Sequence, residues 1–217
     1  MAGVVLANLG VGFSYGWWVD KHNRHHAHPN DEARDPDVAA GALVFTTGQA
    51  RASVRYLIAD RTRPRTREAL LMSLHIAGYL AFVFLLLPPV KALVFIAVHQ
   101  ALFGLYLGCS FAPNHKGMPQ LSQAENADYL LRQVLTSRNV RGHWLTDFAL
   151  GGLNYQIEHH LFPSMPRPNL RHAQRIVKQF CAAHRVPYLE TGLISSYAQA
   201  LRYLNTVGRS PGTSAAI

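Results

Sequence analysis

The chain has 217 residues, of which 49% are hydrophobic and 15% are charged, and its formal net charge is +9. The basic balance would suit nucleic acid, but the arginines lack the interleaved aromatic surface and the motifs of a nucleic-acid-binding module, so we predict no such partner. The two cysteines, Cys109 and Cys181, form no CxxC pair, which excludes a disulfide framework and a zinc ribbon.

The apolar residues are segregated rather than evenly spread. They concentrate in three stretches, at about residues 1–18, 70–87 and 92–112. The second and third stretches each match one bilayer crossing of ~20 residues, and Pro88 and Pro89 separate them into a hairpin. The first stretch ends in Tyr15, Trp17 and Trp18, which is typical of a membrane–water interface and not of a signal peptide. The sequence therefore predicts an all-α integral membrane protein.

The positive charges set the predicted topology. Nine Lys and Arg residues fall in residues 19–69, eleven in residues 113–217, and one, Lys91, in the hairpin turn. By the positive-inside rule, both long polar segments face the cytosol. We expect one domain over residues 1–217, with membrane helices and a cytosolic, histidine-rich helical cap. The arginine-rich stretch 46–67 is interpreted as a juxtamembrane segment beside an anionic leaflet.

Two histidine clusters lie in the predicted cytosolic parts. The first is HNRHH, in which His22, His25 and His26 have the spacing i, i+3 and i+4 and would share one helix face. The second is QIEHH, which ends in His159 and His160. Neutral imidazole is the commonest protein ligand for iron, zinc and copper, and neither cluster has the cysteines of a structural zinc site. A single pair is more often an ordinary polar pair, but two such clusters favour a shared metal site.

Three further histidines are judged by their place in the topology. His115 follows the third apolar stretch, where the predicted hairpin returns to the cytosol at the level of both clusters. His75 and His99 lie inside the predicted spans. An ionisable residue there is a functional candidate by default, but neither has a cluster partner, so we interpret both as neutral, hydrogen-bonded packing residues.

The C-terminal part carries a predicted amphipathic helix over residues 169–184. Its apolar positions are Leu170, Ala173, Ile176, Val177 and Phe180. His172 and His184 are expected on its surface, and residues 208–217 are expected to form a frayed tail.

The motifs resemble those of the membrane fatty acid desaturases of the histidine-box superfamily. The resemblance rests on HNRHH at 22–26, FAPNHKGMP at 111–119 and QIEHH at 156–160, and it extends from about Phe13 to about Tyr188. A Gln at the head of the third box is typical of the bacterial acyl-CoA or linoleoyl-CoA and front-end desaturases. That family also has an upstream HxxxH box, which has no counterpart before Lys21. We therefore expect the chain to correspond to the C-terminal portion of a desaturase, and the completeness of its iron site stays open.

The resemblance implies a site of two irons and no catalytic group beyond the metal centre. The implied iron ligands are His22, His25, His26, His115, His159 and His160. Removal of hydrogen from an unactivated methylene requires an oxidant that proteins obtain from dioxygen at iron. Asn114, Asp147 and Glu158 are expected to orient imidazoles from outside or to act as weak ligands. Gln156 replaces a histidine, and because an amide oxygen is a poorer ligand, it is expected to hydrogen-bond a water or a neighbour.

The function implied by the resemblance is dioxygen-dependent desaturation of a fatty acyl chain at the cytosolic membrane face. The expected partners are an acyl-CoA or acyl lipid and a separate electron donor, such as ferredoxin with its reductase. One alternative is a fatty acyl hydroxylase on the same scaffold. Another is a membrane metal-binding or transport protein, which ranks lower because transporters usually place their ligands within the spans. The acyl carrier, chain length and double-bond position stay open.

Overall fold

A computed structural model describes residues 2–31, 34–37, 66–120 and 128–209. The elements in chain order are α1 (Ala2–Val5), a π-helix (Leu6–Val11), α2 (Tyr15–Ala27), α3 (Thr66–Leu86), α4 (Pro89–His115), α5 (Tyr129–Leu135), β1 (Asn139–Val140), α6 (Trp144–Ala149), α7 (Gln156–Leu161), α8 (Arg167–Ala183), β2 (Glu190–Thr191) and α9 (Leu193–Arg209). The helical fold class is confirmed, with one short sheet added. The predicted basic stretch lies outside the described residues except for its last two positions, and so does most of the predicted tail.

The chain divides into two compact units, one of residues 1–23 and 60–107 and one of residues 24–59 and 108–217. The long apolar elements of the first unit are α3 and most of α4, whose last turns, from Gly108, belong to the second unit. By length and composition, both helices could cross a membrane, which agrees with the two predicted spans. The helices are longer than predicted, and α4 continues to His115.

The N-terminal apolar stretch is broken in the structure, although it is one continuous apolar run in the sequence up to Trp18. The backbone turns at Gly12, whose φ is +72°, and α2 starts at Tyr15 at an angle of 105° to the preceding helices. A Cβ on residue 12 would lie 2.4 Å from a ring carbon of His75, so the turn requires glycine. The hydroxyl of Ser14 donates to the carboxylate of Glu68 at 2.6 Å, which ties the turn to α3. If the bent pair is one span, the described residues hold three candidate spans.

The two histidines inside the apolar helices are both hydrogen-bonded. Nδ1 of His75 donates to the carbonyl oxygen of Leu9 at 2.8 Å. Nδ1 of His99 lies 3.0 Å from the hydroxyl of Tyr79, which joins α4 to α3. Both side chains are therefore hydrogen-bonded, as interpreted, whereas their roles as neutral packing residues stay predictions.

The second unit has its core between α5, α7 and α8. The core residues are Val134, Ile157, Leu161, Val177 and Cys181. The predicted amphipathic helix corresponds to α8, whose buried residues are Leu170, Ala173, Val177 and Cys181. Ile176 and Phe180 were predicted on the apolar face, but they are 70% and 44% exposed. The step of about 100° per residue turns Ile176 away from the stripe through Val177, and Cys181 completes the buried face instead.

A short parallel sheet fixes the start of α7. Asn139 of β1 is in register with Glu190 of β2, and Val140 with Thr191. The side-chain oxygen of Asn139 accepts a hydrogen bond from the backbone N–H of Ile157 at 2.9 Å. This bond satisfies one of the amide groups that a helix leaves unpaired in its first turn, and it anchors the helix that carries QIEHH.

Candidate metal site

Five of the six predicted ligand histidines meet in the second unit. His25 and His26 lie near the end of α2, His115 is the last residue of α4, and His159 and His160 lie on α7. All five are buried, with at most 9% of the residue exposed. Their neighbouring ring centroids are 4.3 to 6.0 Å apart. Residues far apart in sequence therefore converge in one buried cluster of imidazoles.

Within this cluster, three rings can share an ion. One ring nitrogen each of His25, His115 and His160 lies within 4.8 Å of the other two, close enough to hold a metal ion together. The Nε2 atoms of His26 and His159 form a second close pair, 3.2 Å apart.

His22 lies one turn before His26 on α2, so the helix places it on the same face, as the spacing predicted. It belongs to the first unit, where its ring stacks on Trp18 with the centroids 4.4 Å apart. Its role as a ligand stays a prediction.

The Nδ1 atom of each of the three converging rings faces an oxygen. The contacts are His25 with both carboxylate oxygens of Asp35 at 2.9 Å, His115 with the carbonyl of Thr136 at 3.2 Å, and His160 with the amide oxygen of Gln133 at 3.0 Å. Because each of these partners accepts a hydrogen bond, a neutral ring at these positions carries its proton on Nδ1 and its lone pair on Nε2. An outer acceptor that fixes the tautomer and direction of a histidine is the usual support of a protein metal site.

The buried end of His160 supports a metal ion most directly. Among the described residues, its Nε2 is a buried atom with no hydrogen-bond partner, a condition that typically costs about 1–3 kcal/mol. Burial, followed by charge repulsion from the neighbouring imidazoles, holds the pKa of His160 well below its usual value. The ring is therefore neutral, which is the form that binds metal. These donors fit a metal ion of the class that imidazole prefers.

The two predicted outer carboxylates hold other groups. Glu158 accepts hydrogen bonds from the side chains of Asn139 at 2.7 Å and Tyr188 at 2.8 Å, and burial raises the pKa of its carboxyl group. Asp147 accepts from the side chains of Asn154 at 2.8 Å and Tyr155 at 3.2 Å. These contacts fix α7 and the turn before it, and so they position the helix as a whole.

The two predicted amides are hydrogen-bonded to each other, and one of them, Gln156, contacts His115. The side-chain nitrogen of Asn114 donates to the carbonyl of Leu153 at 3.0 Å and to the side-chain oxygen of Gln156 at 3.3 Å. The side-chain nitrogen of Gln156 lies 3.0 Å from Nε2 of His115 and donates to it. Gln156 thus hydrogen-bonds a neighbour, which is one of the two roles expected for it.

Three residues that orient the rings were not predicted as site residues. Asp35 belongs to an Asp-Pro-Asp sequence, which is typical of a turn, and its position close to HNRHH in the sequence was the available signal. Gln133 and the backbone of Thr136 lie over 100 residues from His25 and carry no motif. The sequence offered no signal for these two contacts.

Comparison with known proteins identifies the family. The model of the fatty acid desaturase family matches residues 1–192. The chain belongs to the fatty acid desaturase family. Membership agrees with the resemblance drawn from the motifs, and it implies a membrane protein that uses iron.

Several characterised desaturases are similar to this family member. The acyl-lipid (9-3)-desaturase of Physcomitrium patens is 30% identical, over 97% of this chain and 47% of its own length. The delta(6)-fatty-acid desaturase fat-3 of Caenorhabditis elegans is 32% identical, over 93% and 56%, and fatty acid desaturase 3 of Bos taurus is 29% identical, over 91% and 51%. The chain spans about half the length of these relatives. No solved structure matches it.

Proposed function

We propose that the protein is a dioxygen-dependent fatty acyl desaturase, which introduces a double bond into an acyl chain at a histidine-held site of two irons. The observation that supports this proposal is the buried convergence of His25, His115 and His160, each with its Nδ1 hydrogen-bonded outward. Family membership supplies the reaction class, and the names of the similar proteins supply the fatty acyl substrate class.

The six predicted histidines would hold the irons, with the three converging rings around one of them. When bound, iron with dioxygen supplies the oxidising power that removes hydrogen from an unactivated methylene. The protein residues supply orientation and a dry environment. For example, both carboxylate oxygens of Asp35 lie within hydrogen-bonding distance of Nδ1 of His25. Asp35 itself is fully buried, so water does not compete for this contact.

The substrate and electron supply follow from the same proposal. The acyl chain would be carried as an acyl-CoA or an acyl lipid, and a separate donor such as ferredoxin with its reductase would supply electrons. The distribution of Lys and Arg residues supports a cytosolic position for the histidine motifs.

The test compares the full chain with two histidine variants purified in detergent. His160→Ala removes a cluster ring, while His172→Ala removes an exposed histidine on α8 whose ring nitrogen bonds Arg175. Iron is measured per chain, and products from acyl-CoA and from acyl lipid are analysed by mass spectrometry with ferredoxin, reductase and NADPH supplied. We expect the wild type and His172→Ala to bind equal amounts of iron, and His160→Ala to bind at most half as much.

Two outcomes would contradict the proposal. Equal iron content in all three proteins would show that the histidine cluster is not the iron site. A product that is one oxygen atom heavier, instead of two hydrogen atoms lighter, would identify a hydroxylase on the same scaffold.

A further inference from the structure

The last turn of α4, which ends in His115, contains a gap in its hydrogen bonding. Pro113 lies inside the helix, and proline has no backbone N–H to donate to the carbonyl four residues earlier. That carbonyl belongs to Cys109, and it accepts a hydrogen bond from the hydroxyl of Tyr197 at 2.8 Å. A side chain of α9 therefore replaces the bond that Pro113 removes.

A second set of contacts holds the carbonyls at the end of the same helix. The carbonyl of Pro113 accepts from Nε of Arg138 and from the hydroxyl of Ser196, both at 2.7 Å. Nη2 of Arg138 donates to the carbonyl of Lys116 at 2.8 Å. A helix leaves its last carbonyls without hydrogen-bond partners, and a cation beside them is favourable. The guanidinium of Arg138 supplies both the hydrogen-bond donors and the positive charge.

The guanidinium of Arg138 is itself held in place. Arg138 is fully buried, and its Nη1 donates to the side-chain oxygen of Gln199 on α9 at 2.7 Å. Its backbone N–H donates to the carbonyl of Asn114 at 3.0 Å. Because burial of a guanidinium is costly unless its donors are used, a shift of α4 away from Arg138 would leave buried donors unpaired and is therefore unfavourable.

We infer that Arg138, Ser196, Tyr197 and Gln199 form a latch that positions His115 in the metal site. The latch residues fix the backbone at residues 109, 113 and 116, on both sides of the ring that the site needs. They are positioning residues, since they act on the imidazole through the backbone of α4. The inference rests on the proposed role of His115 as an iron ligand.

The first test is Tyr197→Phe, which removes one hydroxyl and keeps the ring. We expect the affinity of the purified full chain for Fe(II) to fall about tenfold, at the lower end of the 10–100-fold typical of lost outer partners. The absorption spectrum of the Co(II)-loaded protein should also change, because it reports the ligand geometry. The matched control is Tyr203→Phe on the same helix, whose hydroxyl bonds the side chain of Gln120 at 3.0 Å, and which should leave affinity and spectrum unchanged.

Repeating Tyr197→Phe in a His115→Ala background separates positioning from general damage. There the substitution should have no further effect on Fe(II) affinity, because the ring that the latch positions is absent. The same tenfold loss in both backgrounds would overturn the latch. Ser196→Ala, which removes one of the two bonds to the Pro113 carbonyl, provides a second variant for the same cycle.

The two hypotheses fail in different ways. If His115→Ala binds Fe(II) as tightly as the wild type does, the ligand assignment is wrong and the latch has nothing to position. If His115→Ala weakens binding while Tyr197→Phe and Ser196→Ala do not, the proposed site stands and the latch is wrong.

Discussion

Replacement of Gln133 by methionine tests whether its amide supports the metal site. Gln133 is fully buried, its side-chain oxygen accepts from Nδ1 of His160 at 3.0 Å, and its side-chain nitrogen donates to the carbonyl of His26 at 2.9 Å. Methionine has a similar length but no amide, so the substitution removes both bonds and leaves the Nδ1 proton of His160 buried without an acceptor. From the usual cost of such groups, we expect a loss of about 3 kcal/mol in the free energy of unfolding.

The assay is detergent-solubilised unfolding of the metal-free protein, followed by Fe(II) titration of the folded protein. Gln133→Met should also weaken Fe(II) binding by about 10–100-fold, because His160 loses the partner that fixes its tautomer. The control is Gln174→Met on α8, where a partly buried amide makes a long contact of 3.4 Å with Glu190. That change should alter stability by no more than about 0.5 kcal/mol. Wild-type stability and Fe(II) affinity in Gln133→Met would refute this account of the site.

Three other predictions address the ring orientation, the N-terminal turn and the metal. Asp35→Asn should reduce Fe(II) affinity about tenfold, because one oxygen that faces Nδ1 of His25 becomes a donor, and unchanged affinity would contradict this. Gly12→Ala should lower the free energy of unfolding, measured by thermal unfolding, by about 2 kcal/mol or more, because φ is positive at residue 12 and the new Cβ would clash with His75. The control is Gly10→Ala, whose new Cβ would have nothing within 4 Å and would therefore cause no clash. Removal of iron by a chelator should lower the free energy of unfolding by about 2.7 kcal/mol relative to protein in free Fe(II) at 100 times the Kd for Fe(II). An unchanged midpoint of the unfolding transition would argue against specific binding.

The parts of the site that could be predicted are those in which residue type and local spacing carry the chemistry. HNRHH places its histidines on one helix face whatever surrounds it, because the period of the helix decides this. The two apolar helices were similarly evident, since a continuous run of about 20 apolar residues has few alternatives to a membrane span. Convergence of His115 with the two clusters was expected from the predicted topology, because two crossings would return the chain to the same side.

The remaining features depend on contacts between distant residues. The break at Gly12 lies in an apolar run that looks continuous, and only the ring of His75 shows why a side chain is excluded there. The extension of α4 past Pro113 was not predicted, because a proline normally marks a helix boundary. Here Tyr197 supplies the missing hydrogen bond from a helix more than 80 residues away, and no local pattern encodes that.

The orientation of Gln156 decides between the roles that an amide can have at this site. Asn114 donates to the carbonyl of Leu153, so its nitrogen faces Gln156, and only the oxygen of Gln156 can meet it without a donor–donor clash. The nitrogen of Gln156 must then point at Nε2 of His115. An amide nitrogen has no available lone pair, so Gln156 presents no ligand atom to an ion at His115 unless both amides turn together. That turn would place the oxygen of Asn114 against the carbonyl of Leu153, at the cost of a buried hydrogen bond. The difference between glutamine and histidine at the head of this box is therefore that glutamine adds no ligand of its own and presents an amide N–H to Nε2 of His115, a contact that an ion bound at Nε2 would displace.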